Sequence, residues 1–127
     1  VAIDYAALLG RAAGIQVAKA DYDFTRDGGG LYNRPIDTEI IPSGSILVGY
    51  VVYTSAAITS EGSPVLSFTV NGEVVAIASN TLGRIVAALF TGVPAFVTVA
   101  ARAIEGYVSG AAITAGKATL WIFYLST

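Results

Sequence analysis

From Val17 onward the chain alternates short apolar runs with turn residues, the rhythm of an antiparallel sandwich or jelly roll. The pattern predicts strands over 17–25, 45–54, 65–70, 73–78, 84–90, 95–103 and 117–125. Between two of these runs stands Asn71-Gly72, both residues tolerant of positive φ, as a two-residue hairpin requires. Gly28 to Gly30, Pro42-Ser43-Gly44, Glu61 to Pro64, Gly92-Val93-Pro94 and Ala115-Gly116 mark the other breaks. Residues 1–16 differ in kind. Asp4 is placed to cap a helix with Tyr5, Leu8, Leu9 and Ala12 on one face, yet Gly10 and Gly14 each cost about 1 kcal/mol relative to Ala. The division expected is an N-terminal arm or short helix, 1–16, that needs a surface to lie on, and one β-sandwich domain, 17–127.

The strand faces carry the functional expectation. Strict alternation in 45–54 places Ile46, Val48, Tyr50 and Val52 on one side and Leu47, Gly49, Val51 and Tyr53 on the other, and both sides are apolar. In 117–125, Leu120, Ile122 and Tyr124 oppose Trp121, Phe123 and Leu125. A lone sandwich shows water one face of each sheet, so strands apolar on both sides imply that the second face is covered as well. Subunit contact is the expected cover, with Tyr50, Tyr53, Trp121 and Phe123 as interface residues. Cover by the arm or by loops of the same chain is the alternative.

Composition sharpens this picture. Charged residues make up 13% of the 127 positions, about half the usual share, which leaves apolar surface in need of a partner. The seven basic residues are scattered among nine acidic ones, so no basic face exists for phosphate and nucleic acid is not an expected ligand. With no Cys, His or Met, thiol and imidazole catalysis and a Cys/His zinc site are excluded. Residues 40–60 carry no charge, but a Pro-Ser-Gly-Ser turn followed by Val, Ile, Tyr and Thr reads as strand rather than membrane helix. The first apolar run, interrupted by Asp4 and Arg11, does not read as a secretory signal.

The stretch DYDFTRDGGG, residues 21–30, is the densest candidate for chemistry. As a calcium loop it fails at Arg26 and Tyr32, which stand where a glycine and a bidentate glutamate belong. As a glycosidase pair, Asp21 and Asp23 on one strand would lie roughly 7 Å apart, near the inverting range, but no base is set against a nucleophile. As a strand running into a turn, the same letters send Tyr22 and Phe24 inward and leave Asp21, Asp23 and Thr25 on the other face. This last reading makes the chain a non-enzyme, with no cofactor or metal implied.

The segments AKADYDFTRDGGGLY, IPSGSILVGYVVYTSAAITSEGSPVLSFTVNGE and SGAAITAGKATLWIFYL resemble small tailed-phage virion proteins of the capsid decoration, or cement, type. The resemblance is carried by Tyr22-Asp23-Phe24 with Gly28 and Gly29, by Pro42 and Gly44, and by Thr114 to Lys117. Such proteins often show Leu-Pro where Ile41-Pro42 stands here. The resemblance implies a jelly-roll-like sandwich that trimerises on the outer surface of a phage capsid, binds the major capsid protein and stabilises the shell. The arm has no counterpart in that pattern. Its extended reach of roughly 50 Å assigns Tyr5, Leu8, Leu9 and Arg11 to capsid contact. A head-fibre or tail domain that recognises a host glycan or protein through loops 54–64 or 104–116 would use the same sandwich.

Overall fold

The computed structural model describes residues 15–70, 73–89 and 102–125. The described residues form eight strands: β1 (Ile15–Asp23), β2 (Tyr32–Ile41), β3 (Ile46–Thr59), β4 (Val65–Val70), β5 (Glu73–Ile77), β6 (Ile85–Leu89), β7 (Arg102–Ser109) and β8 (Ala115–Leu125). A single helical turn, α1 (Phe24–Asp27), follows β1. Every described pairing is antiparallel, in the order β5-β4-β7-β2-β1-β8-β3-β6. The sheet folds over between β1 and β2, where only Ala20↔Thr38 and Asp21↔Asp37 are paired. Two four-stranded halves result, β1-β8-β3-β6 and β2-β7-β4-β5. This is the all-β, jelly-roll-like sandwich expected from the turn rhythm.

The opposite side of the roll is closed by the link between β5 and β6. Ala78 donates its N–H to Leu66 of β4 at 2.9 Å, while Ile58 and Thr54 of β3 donate theirs to Asn80 and Arg84 at 3.0 and 3.1 Å. The Thr54 hydroxyl, fully buried, adds a bond of 2.6 Å to the Ser79 carbonyl. Inside lie Val52, Leu120 and Ile122 from one half and Leu66, Phe68, Ile104 and Val108 from the other, all at 0% exposure. Each such side chain contributes about 1.5–3 kcal/mol on burial.

Several strands fall where the pattern placed them, and β4 and β5 pair with Val70 opposite Glu73, as a two-residue connection requires. Asn71 and Gly72 themselves lie outside the described residues, as do Gly92-Val93-Pro94 and most of the strand expected at 95–103. Four expectations are corrected. Strand β2 was missed because its ladder with β7 slips between Pro35 and Ile40, so the buried residues Ile36 and Ile41 lose the period of two. Phe24 and Thr25 leave the strand for α1, because the Asp23 carboxylate accepts the Thr25 N–H at 3.0 Å and caps a helix that Gly28 ends at φ 78°. Residues 104–109, expected in a loop, belong to β7. Ala115-Gly116 opens β8 rather than breaking the chain, with Gly116 close against Ile58, which a Cβ would meet at 2.8 Å.

Candidate functional site

The outer face of the β1-β8-β3-β6 half is assembled from rows of side chains set by register. Val17, Phe123 and Gly49 share one row; Lys19, Trp121, Val51 and Ala87 the next; Asp21, Thr119, Tyr53 and Ile85 the third. The alternate residues of β8 (Ala118, Leu120, Ile122 and Tyr124) are buried, so Trp121, Phe123 and Leu125 turn outward, each partly buried by its neighbours. Tyr53 and Ile85 are 37% and 63% exposed. A broad apolar surface results, on which large side chains from four strands meet.

The strict alternation expected for β3 does not hold through its length. Leu47 pairs with Tyr124 and Gly49 with Phe123, a bulge that takes an extra residue into β3. Beyond it Tyr50, Val52 and Thr54 face the interior and Val51 and Tyr53 face out. Tyr50 packs against the core cluster, opposite the buried Ile122. Three of the four interface residues expected from sequence, Tyr53, Trp121 and Phe123, therefore share the outer face, and the fourth is turned toward the core by the bulge. Val51 and Val17 also belong to the face; β1 shows Val17 by alternating with buried Ala18 and Ala20. Ile85 was less legible, because no sequence signal pairs β6 with β3.

At the bulge the face is indented. A depression of about 440 Å³ opens over Gly49, lined also by Ile15, Val48, Tyr50, Val51, Ala87, Ala88 and Phe123. It carries no charged side chain. Its floor is low because Gly49 and Ala87 offer little beyond backbone between the larger residues.

The far end of the same face is charged. Asp21 accepts the Thr119 hydroxyl at 2.7 Å and lies 3.6 Å from Lys19, and Asp23 lies 3.7 Å from Lys117. The Asp23 carboxyl is held below the usual range, first by the Thr25 hydroxyl at 2.7 Å. Burial alone would raise Asp27, but the Arg26 guanidinium, at 2.8 and 2.9 Å, and the Asp23 N–H at 2.9 Å outweigh it and hold the carboxyl low. Tyr22 is buried, donates to the Gly28 carbonyl at 2.6 Å, and is pushed up to about 12 by loss of water. Arg34 donates to the carbonyls of Asp27 and Gly30, tying the glycine turn to β2. The acidic cluster is thus a cap and turn assembly. Each of its carboxylates is engaged in holding backbone or a neighbouring cation, and no cluster of three possible metal-binding side chains occurs among the described residues.

Tyr5, Leu8, Leu9 and Arg11, expected to touch a capsid, lie outside the described residues. No described helix is long and apolar enough to cross a membrane. No family model matches the sequence, and no curated protein matches it. The fold, in contrast, has solved counterparts. A chain of the acidic stable capsid structure of Helicobacter pylori bacteriophage KHP30 superposes with a TM-score of 0.55 at 15% identity, over 89% of this chain and 88% of that one. A chain of the cyanophage Pam1 capsid asymmetric unit gives 0.59 at 16%, over 89% and 85%. A chain of the capsid of Ralstonia phage GP4 gives 0.57 at 16%, over 89% and 84%. At such identity the likeness is one of fold, and it spans nearly the whole length of each partner.

Proposed function

We propose that this chain is a non-enzymatic virion protein that binds the outer surface of a phage capsid as a homotrimer and stabilises the shell. The observation that carries the reading is the apolar outer face of β1-β8-β3-β6, on a fold shared with chains of three phage capsid structures. Closing Val51, Tyr53, Trp121 and Phe123 against a neighbouring copy removes the surface each still shows, a fraction of the roughly 1.5–3 kcal/mol that full burial of such a side chain is worth, before the costs of association. A trimer then presents three equivalent surfaces to the major capsid protein, and simultaneous engagement makes the attachment far tighter than one contact alone. The partners are self and coat protein, and the place is the virion exterior.

The test is to mix the purified protein with undecorated phage heads and image them, with light scattering on the free protein. Trimers that decorate heads are expected. A 13.0 kDa monomer at micromolar concentration, or bare heads, would count against the reading.

A head-fibre or tail domain that recognises a host glycan is the second reading, and one observation favours it. Tyr32, held at φ 76°, is 64% exposed and its ring lies 6.3 Å from that of Tyr107, an aromatic pair open to water. Glycan-array binding lost in Tyr107→Ala, with no affinity for heads, would decide for it.

A further inference from the structure

We infer that the tilted ring pair Tyr32 and Tyr107, with the Glu105 carboxylate beside it, is a seat for an arginine side chain presented by a protein partner. The inference goes beyond the assembly reading and stands without it, and it puts a cation where the second reading puts a sugar. Its first support is the backbone. Tyr32 pairs with Val108, which is wholly buried, so in a regular pleat the Tyr32 ring would point inward as well. At φ 76° it turns outward instead, 64% exposed, to lie beside Tyr107, whose chain neighbours Gly106 and Val108 are buried. Three glycines stand at 28–30, yet a tyrosine occupies the left-handed position, where a bulky side chain is strained. The fold thus holds an aromatic ring in water against its backbone preference.

The second support is the set of groups around the rings. Their centroids lie 6.3 Å apart and their planes are inclined at 54°, which leaves an open angle between them. A cation at its mouth can lie within about 6 Å of both centroids, the range in which a ring face attracts positive charge. Glu105 stands two residues before Tyr107 on the same face of β7, about 7 Å along the strand, and is exposed. Among the described residues it makes no ion pair. Asn33, opposite Tyr107 on β2, is exposed too, and its amide oxygen can accept an N–H. Arg34, the next residue, turns away to hold the Asp27 and Gly30 carbonyls, so it does not fill the seat itself.

These groups select among ligands. A ring pair alone suits a sugar, an aliphatic chain or a cation, and the exposed carboxylate beside it favours the cation. A phosphocholine headgroup would bring its phosphate toward Glu105 and has no N–H to offer Asn33. Arginine meets every requirement, because its guanidinium stacks on aromatic faces, donates to a carboxylate and is weakly hydrated. Val65, 37% exposed, lies on the same face of β4 two residues before Ser67, the β4 partner of Tyr107. It gives the methylene stem of the arginine apolar ground to lie on.

The test titrates the full chain with the end-blocked tripeptide glycyl-arginyl-glycine and follows backbone amide resonances by NMR. Saturable shifts centred on Tyr32, Asn33, Glu105 and Tyr107 are expected, with a Kd in the millimolar range. Binding should weaken about fivefold for the citrulline counterpart, which keeps the shape and loses the charge, and for Glu105→Gln, and vanish in Tyr107→Ala. Equal binding of the citrulline peptide, or no shift at all, overturns the inference. Methyl glucoside shifting these resonances where the arginine peptide does not also overturns it and returns the site to the glycan reading, and tighter binding of phosphocholine overturns it in favour of a headgroup. Light scattering on the same sample reports assembly independently: an arginine seat on a monomer leaves this inference standing and removes the trimer. Tyr32→Gly, which relieves the backbone, is expected to raise the denaturant midpoint and abolish peptide binding. A lowered midpoint with binding intact would overturn the inference, since the ring would then be held by packing and not for a ligand.

Discussion

The two ends of the β1-β8-β3-β6 outer face are built on the same strands and serve opposite ends of the energy scale. At one end Val17, Phe123, Trp121 and Val51 present apolar side chains that gain by leaving water. At the other, Asp21, Asp23, Lys19 and Lys117 pair at 3.6 to 3.7 Å across exposed surface, where ion pairs are worth little. The charged end looks like chemistry in the sequence and acts as local scaffolding. The apolar end looks like ordinary core and is the surface proposed above for association. The lesson is that an alternating strand advertises function through the face that fails to become polar.

That contrast can be broken most directly at Trp121. Replacing it by Glu is expected to weaken self-association by about 2–4 kcal/mol, roughly 30- to 1,000-fold, and to leave a folded monomer, as read by sedimentation and circular dichroism. An oligomer that survives the change would locate the association energy elsewhere. Next in size is Gly29→Ala at the turn behind the charged end. A Cβ there would lie 1.8 Å from the Ile113 carbonyl oxygen, so a loss of about 3 kcal/mol in denaturant unfolding is expected, with assembly of the folded fraction intact.

Asp27→Asn is expected to cost about 1–2 kcal/mol at neutral pH, since the side chain accepts bonds from Arg26 and the Asp23 backbone. The same change has a pH signature. The folded carboxyls of Asp27 and Asp23 lie below the ordinary value of about 3.9, so the stability they supply is complete above about pH 4 and drains as pH falls further, when the unfolded chain takes up protons first. Asp27→Asn should flatten that acid limb in a pH series of unfolding curves. At the alkaline side Tyr22, raised to about 12, favours the folded state while neutral, and stability should decline as pH climbs from about 10 toward 12. The smallest effect is expected for Asp21→Asn, within about 1 kcal/mol and without change in assembly. A large assembly defect there would show that the charged end takes part in the interface.

The legible parts of the fold were those where period and position agree. Leu120, Ile122 and Tyr124 alternate with Trp121 and Phe123 without interruption, so β8 could be read with both its faces. The parts that were not legible involve an irregular backbone. The bulge at Val48 and Gly49 moves Tyr50 to the interior, and the slip at Pro35 hides β2, because an extra residue reverses every later side chain. Glu105 and Gly106 made β7 look like a loop, whereas Gly106 is small because Ile36 lies against it, 3.2 Å from where a Cβ would sit. Nothing in the sequence states that Ile85 stands beside Tyr53, since that neighbourhood exists only once β6 docks on β3.

The fold-over between β1 and β2 has a mechanical corollary. Its two paired positions, Ala20↔Thr38 and Asp21↔Asp37, form a short seam, whereas β8 is laced to β1 from Ile15↔Leu125 to Asp23↔Lys117. A load pulling the halves apart would peel the seam rung by rung, while a load along β8 would strain its whole lacing together. The molecule is therefore toughest along its strands and most easily torn at its hinge line, so the direction in which it is anchored sets how much tension it can carry.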